Sequence, residues 1–271
     1  MTRAAFYKWL KRKPSKTEEK QKQIVAEIKR IHSLPRHHDY GSPRIHRELK
    51  KQGTECSINT VAKLMRRAGI KARNTPKFRV ATTDSNHDLP IAPNLLNQQF
   101  TAQMPNQVWL SDFTYIPTKE GFTYLCTFQD LCSRRIVGWA TSKKIDAQLA
   151  LAALNQAIAL REPSSGLIVH TDRGSQYASS AFRTRLDRCK LLPSMSRKGN
   201  CYDNAPMESF FKTFKVEEVY HTNYETHEQA TRAVTDYVER FYNPTRTHSA
   251  LGYVSPNEFE ELKMFEKTKT A

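Results

Sequence analysis

Three acidic residues stand in parts of the chain whose patterns suit metal-assisted chemistry. Asp112 lies in the alternating stretch 106–116, on the face that carries apolar residues, where a buried acid requires a reason. Asp172 follows the apolar run 166–169, so we expect it just past the end of a short buried strand. Glu208 falls in the first turn of a predicted helix. Carboxylate oxygens are the ligands that Mg²⁺ prefers, so the three acids are candidate ligands.

The helix predicted around Glu208 has two faces. Lys212 and Lys215 share a stripe with Glu208, roughly 100° round from an apolar stripe that we expect to face the core. A carboxylate with two cations beside it suits a cleft that holds metal and phosphate together. The alternative is that Glu208 only complements the helix dipole and that the lysines are solvated. The apolar stripe consists of Met207, Phe210, Phe211 and Phe214.

The spacing and context of the three acids match a known pattern. There are 59 residues between Asp112 and Asp172, and 35 between Asp172 and Glu208. The contexts read Trp109-x-x-Asp112-x-Thr-Tyr, His170-x-Asp172-x-Gly-Ser-Gln-Tyr and Asn204-Ala-x-x-Glu208-Ser-Phe-Phe, with Lys215 seven residues after the glutamate. Together they resemble the Asp-Asp-35-Glu triad of the retroviral integrase and transposase superfamily. Within it, the chain resembles the second-frame (OrfB) product of bacterial insertion sequences of the insertion-sequence-three family.

The order of predicted elements agrees with the fold that this resemblance implies. From about residue 105 the pattern reads strand, strand, strand, helix, strand, helix, strand, helix, which indicates a mixed sheet flanked by helices. The expected fold class is therefore α/β: a ribonuclease H-like catalytic core with a mixed five-stranded sheet, preceded by an all-α helix-turn-helix region.

The resemblance also implies an activity. We expect a DDE transposase subunit that catalyses metal-dependent DNA strand cleavage and strand transfer, with DNA integration. Two Mg²⁺ ions per active site, with Mn²⁺ as a substitute, suit such phosphodiester chemistry. Asp112 would bridge both ions, while Asp172 and Glu208 would each complete one site.

Basic residues near Glu208 are candidate DNA contacts. Lys215, and with it Lys212, would hold the DNA end as point charges. Arg197 and Lys198 belong to a basic loop that would lie along the DNA backbone, or else is only solvated. We assign the neighbouring acid Asp203 to capping of the helix, not to catalysis.

The positive charge of the chain is concentrated at its start. The net charge is +16, yet residues 1–80 hold 22 Lys and Arg against 6 Asp and Glu, while residues 81–271 hold 21 of each. This concentration is typical of a segment that binds nucleic acid, here expected to be double-stranded DNA.

Two short helices in the basic region predict a helix-turn-helix. Ser42 would cap the first, with Pro43 at its first position, and Ser57 would cap the second, which Gly69 ends. The second is the candidate recognition helix, and the stretch 40–45 resembles the corresponding segment of the same transposase family. The alternative is a basic helical hairpin that reads no sequence. The outward polar and basic residues of the recognition helix are Asn59, Lys63, Arg66 and Arg67.

The chain is expected to divide into four parts. Leu95, Leu96 and Phe100 of the linker could dock on a neighbouring part, and the mixed-charge tail from Glu258 is expected to fray. We favour a structural role over DNA contact for two residues of the extension, Arg246 and His248. The parts are a basic helical DNA-binding region at 1–72 with the helix-turn-helix at about 42–69, a linker at 73–104, an integrase-like catalytic core at 105–218 and a helical C-terminal extension at 219–271.

Composition excludes several other classes of protein. A content of 38% hydrophobic and 10% aromatic residues argues against wholesale disorder. There is no apolar run of membrane-spanning length and no apolar signal segment at the start. We therefore expect a soluble bacterial protein of the cytoplasm, associated with the nucleoid and not with a membrane.

The cysteines and histidines do not predict a zinc site. The five cysteines are scattered without a C-x-x-C pair, which is typical of free thiols in a reducing compartment. Only Cys56 lies near the histidine cluster, and no second cysteine has a ligand-like spacing. The clustered histidines, interpreted as structural or DNA-facing, are His32, His37, His38 and His46.

Two other functions compete with the transposase. One is a non-catalytic DNA-binding regulator or accessory protein of transposition, and the other is a hydrolytic nuclease of the same fold. Cutting and joining two DNA ends favours a homodimer or higher assembly on DNA. The resemblance further implies an upstream-frame (OrfA) protein, as a partner or fused to this chain.

Overall fold

The computed structural model describes residues 2–3, 14–73, 89–198 and 200–270 of the chain. The chain divides into two compact units, 1–76 and 77–271, which are considered separately. Parts of three predicted features lie outside the described residues: most of the first 13 residues of the basic region, residues 74–88 of the linker, and Gly199 of the basic loop.

The first unit is all helical. It contains α1 (Lys16–His32), a 3-10 turn (His37–Asp39), α2 (Ser42–Lys51) and α3 (Ile58–Arg67). The Ser15 hydroxyl accepts from the Glu18 N–H and the Glu18 carboxylate accepts from the Ser15 N–H, so a capping box starts α1. The core of this unit comprises Ile24, Ile28, Ile31, Tyr40, Ile45, Leu49, Val61, Leu64 and Met65.

The predicted caps of this unit were correct in one helix and wrong in the other. The Ser57 hydroxyl accepts from the Thr60 N–H at the start of α3, as predicted. Gly41, not Ser42, is the N-cap of α2, and Ser42 is already its first helical residue. Glycine is among the residues favoured at N-cap positions, and Gly41 has the extended backbone that is typical of such a position.

The second unit is built on a five-stranded mixed sheet with the order β3-β2-β1-β4-β5. β1 pairs antiparallel with β2 and parallel with β4; β2–β3 is antiparallel and β4–β5 is parallel. This confirms the predicted α/β class with a mixed five-stranded sheet. The strands are β1 (Val108–Thr118), β2 (Gly121–Asp130), β3 (Ile136–Ser142), β4 (Ile168–Thr171) and β5 (Leu192–Met195).

Helices cover the sheet and carry the chain to the site. The long apolar helix packs so closely on β3 that a Cβ at Gly138 would collide with the backbone of Ala153 and with Ala157. The core between sheet and helices includes Trp109, Phe128 and Leu154, all fully buried. The helices are α4 (Ala147–Arg161), α5 (Ser175–Ala178), α6 (Ser180–Arg188), α7 (Ala205–Glu217), α8 (His227–Thr235) and α9 (Pro256–Thr270), with a π-helical segment (Asp236–Tyr242) after α8.

The C-terminal extension packs on the catalytic core. The Asn243 side chain donates to the Ile136 carbonyl and accepts from the Ile136 N–H, which fixes the extension to β3. α9 runs from Pro256 to Thr270, and fraying of the tail from Glu258 stays a prediction. Glu260 of α9 is buried and paired with Arg161, a tertiary contact that the mixed-charge pattern does not reveal.

Candidate active site

The two aspartates of the candidate site lie on adjacent parallel strands. β1 and β4 pair with Leu110 opposite His170. Continuing this register by two residues along each strand places Asp112 beside Asp172, on the same face of the sheet. Asp112 is thus within β1, while Asp172 is the first residue after β4. Alternation predicted the position of Asp112, and the end of an apolar run predicted that of Asp172.

The surroundings of Asp112 show that the three acids influence one another. Burial raises the pKa of the Asp112 carboxyl well above its usual range, and the charge of Asp172 raises it further. The backbone N–H of Phe113 donates to the Asp112 carboxylate at 2.7 Å and opposes the rise, as does Lys215, while Glu208 adds to it. The site therefore concentrates negative charge in a half-buried position.

Asp172 is held by the turn that follows β4. Its carboxylate accepts from the Gly174 N–H at 2.9 Å. A Cβ at Gly174 would lie 3.1 Å from the Asp172 carboxylate and 2.7 Å from the side chain of Gln176. The absence of a side chain at residue 174 thus lets the backbone approach the acid closely.

Glu208 approaches the aspartates from α7. It is exposed in the first turn of this helix, while the apolar stripe behind it is buried as predicted. In the described residues no three His, Cys, Asp or Glu side chains are close enough to enclose a metal ion as they stand. Glu208 is therefore at the rim of the site, and the two aspartates form its floor. The buried stripe consists of Met207, Phe210, Phe211 and Phe214.

The two lysines of α7 differ in their environment. Lys215 is partly buried, and its Nζ lies 4.2 Å from the centre of the Tyr115 ring. Burial lowers the pKa of Lys215, and the charge of Asp112 opposes that shift. Lys212 is exposed. Of the two, Lys215 is the cation that interacts with the acids.

The basic loop has a different arrangement from the one expected. Arg197 is bound to Asp203: its backbone N–H, Nε and Nη2 donate to that carboxylate at 2.8, 2.9 and 2.8 Å. The assignment of Asp203 to helix capping was therefore wrong, because its oxygens face the loop and not the first turn of α7. Lys198 is exposed.

Part of the predicted linker is docked beside this loop. Leu96 is buried, and the side chains of Asn94 and Gln98 donate to Asp203 at 3.0 and 2.8 Å. The Leu95 N–H donates to the Ser194 hydroxyl at 2.9 Å. Sequence reasoning allowed for docking but missed these partners, because the segment has no periodicity.

The predicted DNA-binding residues of the first unit lie on one exposed surface. Asn59, Lys63, Arg66 and Arg67 are all exposed on α3. The arrangement agrees with the predicted recognition helix, whose role in DNA binding stays a prediction.

The histidines of this unit are engaged in local contacts. His46 Nε2 lies 2.8 Å from the Cys56 carbonyl, and the rings of His32 and His38 pack edge to face at 5.4 Å. Among the residues that the structure describes, they form no metal-binding group.

A buried ion pair at the far end of α7 escaped the sequence analysis. Arg246 donates through Nε and Nη2 to the Glu217 carboxylate at 2.7 and 2.8 Å, and its Nη1 lies 3.0 Å from His248 Nε2. Arg246 is 4% exposed, so it is a structural residue, as we favoured. The sequence carried little signal for this ion pair, because its partners lie 29 positions apart in the chain.

No helix in the described part of the chain is long and apolar enough to cross a membrane.

Family models match both units of the chain. The model for an HTH-like domain matches residues 18–78, and two models for an integrase core domain match residues 102–201 and 208–264. The first integrase-core match contains Asp112 and Asp172, and the second begins at Glu208.

Known proteins resemble the chain over most of its length. A 31 kDa protein of the insertion element IS600 from Shigella sonnei is 41% identical, over 96% of this chain and 95% of its own. The transposase InsF of insertion sequence IS3A from Escherichia coli (strain K12) is 43% identical, over 83% of this chain and 78% of its own.

A solved structure shares the fold. The cryo-EM structure of a simian T-cell lymphotropic virus intasome in complex with PP2A regulatory subunit B56 gamma contains a chain with a TM-score of 0.50 and 16% identity, covering 86% of this chain and 74% of that one. The integrase-like, ribonuclease H-like fold is thereby confirmed. Identity above 40% over most of the length gives the relationship: the chain belongs to the insertion-sequence-three family of transposases and is a DNA transposase with an integrase catalytic core.

Proposed function

We propose that Asp112, Asp172 and Glu208 are the catalytic residues of this transposase and together hold two Mg²⁺ ions, for which Mn²⁺ substitutes. The observation that carries this proposal is the pairing of β1 with β4, which brings Asp112 beside Asp172. Burial and the charges of Asp172 and Glu208 raise the pKa of Asp112, which supports the same grouping. Carboxylates that repel one another, two of them half-buried, are costly for a protein unless a cation relieves the repulsion.

The chemistry of the donor set fits the proposed ions. All three residues offer hard carboxylate oxygens, which Mg²⁺ prefers. The two ions would supply activation of an attacking oxygen and stabilisation of a leaving oxygen at a phosphodiester. Asp112 would be shared by both ions, and the exposed Glu208 would complete the set by turning its side chain toward the two aspartates.

Lys215 is proposed to hold a phosphate of the DNA end. Its ammonium is kept near Asp112 by burial and by the Tyr115 ring, so it presents a positive charge at the edge of the carboxylate cluster. Lys212 and Lys198 are exposed and would add backbone contacts further out. Arg197 contributes only with the part of its guanidinium that Asp203 leaves accessible.

The first unit is proposed to bind the ends of the element as double-stranded DNA. The support is the concentration of positive charge before residue 81 and the exposed polar row on α3. Because two ends must be brought together, we propose a dimer or higher assembly on DNA. An upstream-frame protein, separate or fused, is a further proposed partner, and association with the nucleoid follows from the DNA substrate.

The test is resolution of a branched DNA substrate in Mg²⁺ or Mn²⁺ by wild type, Glu208→Gln and Glu228→Gln. Resealing the branch reverses strand transfer and requires little beyond the active site. Glu228 is the matched control, an exposed glutamate in the first turn of a helix, as Glu208 is. We expect joined product from wild type and the control, and none from Glu208→Gln.

The other outcomes separate the competing functions. Nicked but unjoined DNA from wild type would indicate a hydrolytic nuclease. No reaction at all, with salt-dependent duplex binding retained, would indicate a regulator. Full activity of Glu208→Gln would remove that residue from the catalytic set.

A further inference from the structure

The short turn before α7 is hydrogen-bonded to both of the strands that position the aspartates. This turn, Cys201–Asn204, leads directly into the helix of Glu208. The Asn204 side chain is at the N-cap position but makes no hydrogen bond to the helix among the described residues. Instead its Nδ2 donates to the Ser111 carbonyl at 3.1 Å. Ser111 directly precedes Asp112, so this bond joins the start of α7 to the strand of the first acid.

A second bond joins the same turn to β4. His170 Nε2 lies 2.9 Å from the Asp203 carbonyl. A carbonyl oxygen only accepts, so Nε2 carries the proton and Nδ1 accepts from the Ser194 hydroxyl at 2.8 Å. His170 is two residues before Asp172, so this bond joins the turn to the strand of the second acid.

The docked segment at 89–98 supports the second bond. The Ser194 hydroxyl gives its proton to His170 and accepts from the Leu95 N–H at 2.9 Å. The polar chain therefore runs from the docked segment across β5 and β4 to the turn. Each member has its donor and acceptor roles fixed by the next, so the His170 ring has a single orientation.

Stability alone does not account for Asn204. Its side chain is 5% exposed, and its Oδ1 is buried without a hydrogen-bond partner in the described part of the chain. A buried acceptor without a partner is destabilising, so an amide at this position lowers the stability of the fold. What the amide provides is the one bond that ties the turn to Ser111.

We infer that Asn204 and His170 are positioning residues for strand transfer: each ties the start of the Glu208 helix to the strand of one aspartate. Neither is placed to touch the reacting atoms. The inference rests on the proposed function of the three acids and deepens it, because it names what sets their mutual distances. Two bonds from one turn to two strands fix Glu208 relative to both acids at once.

The experiment compares Asn204→Ala, His170→Gln and His170→Leu with wild type in the branched-DNA assay. Gln98→Ala is the matched control, since it removes one bond to the Asp203 carboxylate and leaves both ties intact. Each protein is measured for its rate at saturating DNA, its KM for DNA, its thermal unfolding, and the Mn²⁺ concentration that gives half of the metal-induced rise in unfolding temperature.

For Asn204→Ala we expect a rate about 10- to 100-fold lower with little change in KM, as for a misplaced catalytic group. Its unfolding temperature should change by less than about 4 °C, because the lost bond is offset by removal of the unpaired oxygen. The Mn²⁺ concentration at half effect should rise, a readout independent of catalysis. His170→Gln keeps an amide donor for the Asp203 carbonyl and should retain more activity than His170→Leu. Gln98→Ala should resemble wild type.

The inference is overturned by a wild-type rate and metal response in Asn204→Ala, or by loss of activity in proportion to loss of folded protein. It is also overturned if His170→Gln is no better than His170→Leu. These outcomes leave the proposed function intact as long as Glu208→Gln is inactive, whereas an active Glu208→Gln contradicts the proposed function itself.

Discussion

The candidate active site holds half-buried carboxylates and the attachment of the C-terminal extension holds buried ones, in opposite electrostatic surroundings. At the active site, Asp112 lies near Asp172 and Glu208, and its pKa is raised. At the attachment, Glu217 accepts two bonds from Arg246 and a third from the Tyr237 hydroxyl at 2.8 Å. A buried acid next to arginine stabilises the fold, whereas half-buried acids next to one another repel, and a bound cation would relieve that repulsion.

Glu260 belongs with the paired acids. Burial alone would raise its pKa, but hydrogen bonds from Arg161 and Arg135 hold the pKa of Glu260 below its usual range. Arg161 donates through both terminal nitrogens at 2.8 Å, and Arg135 donates at 2.8 Å. Substitutions in the two groups of acids should therefore change stability in opposite directions.

The largest change in the free energy of unfolding is expected for Arg246→Ala. Removing one partner of a buried ion pair leaves the charge of Glu217 uncompensated, so the free energy of unfolding should fall by about 3–5 kcal/mol. Arg240→Ala is the matched control, because Arg240 pairs with Asp236 in an exposed i,i+4 pair. Its effect should be within about 0.5 kcal/mol in denaturant unfolding. Equal effects of the two variants would contradict the distinction between buried and exposed pairs.

Glu260→Gln should cause the next largest loss in the free energy of unfolding. The amide cannot accept from all of the donors that surround the carboxylate, so we expect a loss of about 2–3 kcal/mol. Because α9 is anchored through this residue, amide hydrogen exchange should rise first in α9. Glu266→Gln, which weakens an exposed pair with Lys263, is the control on the same helix. Unchanged protection of α9 in Glu260→Gln would refute the anchoring role.

The sequence predicted those parts of the site that depend on local pattern. Alternation placed Asp112 on β1, the end of an apolar run placed Asp172, and helical spacing separated Glu208 from the buried face of α7. Each of these placements depends on neighbours within a few residues. The order of strands and helices then sufficed to predict the mixed sheet.

What the sequence did not predict depends on distant partners. Asp203 reads as a helix cap, yet its carboxylate binds Asn94 and Gln98, more than 100 residues away in the chain. The mixed-charge pattern of the tail predicts a fraying end, and nothing in that pattern predicts that Glu260 pairs with Arg161. Such pairings are decided by how elements pack, and a single sequence carries no local signal for them.

Asp203→Asn should cost about 1–2 kcal/mol at neutral pH, since the carboxylate accepts charge-assisted hydrogen bonds from Arg197. Hydrogen bonds from Arg197 hold the pKa of Asp203 well below its usual range. A depressed folded-state pKa gives stability that is present above the unfolded pKa of about 3.9 and is lost as the pH falls below it. The difference between wild type and variant should therefore shrink between about pH 4 and pH 2 in unfolding experiments. A difference that does not change with pH would mean that the charge of Asp203 is unimportant.

Asp112→Asn should change the free energy of unfolding least of these variants, and in the stabilising direction. The folded-state pKa of Asp112 is raised, so ionising it destabilises the metal-free protein as the pH rises above the unfolded value of about 3.9. The neutral isostere removes this repulsion and should stabilise the metal-free protein by about 1 kcal/mol at neutral pH. Mg²⁺ or Mn²⁺ should raise the unfolding temperature of wild type, and of the variant much less.

Asp130→Asn is the control that isolates the cause. Asp130 is fully buried in the same sheet, where Asp112 is half-buried, and burial raises the pKa of Asp130 as it does that of Asp112. Its carboxylate accepts from the backbone N–H groups of Asn106, Cys132 and Ser133, so an amide there loses bonds and should destabilise the protein without altering the metal response. If both substitutions destabilise the metal-free protein equally, then Asp112 is held like the paired acids, and the contrast between the two regions does not explain where the metal binds.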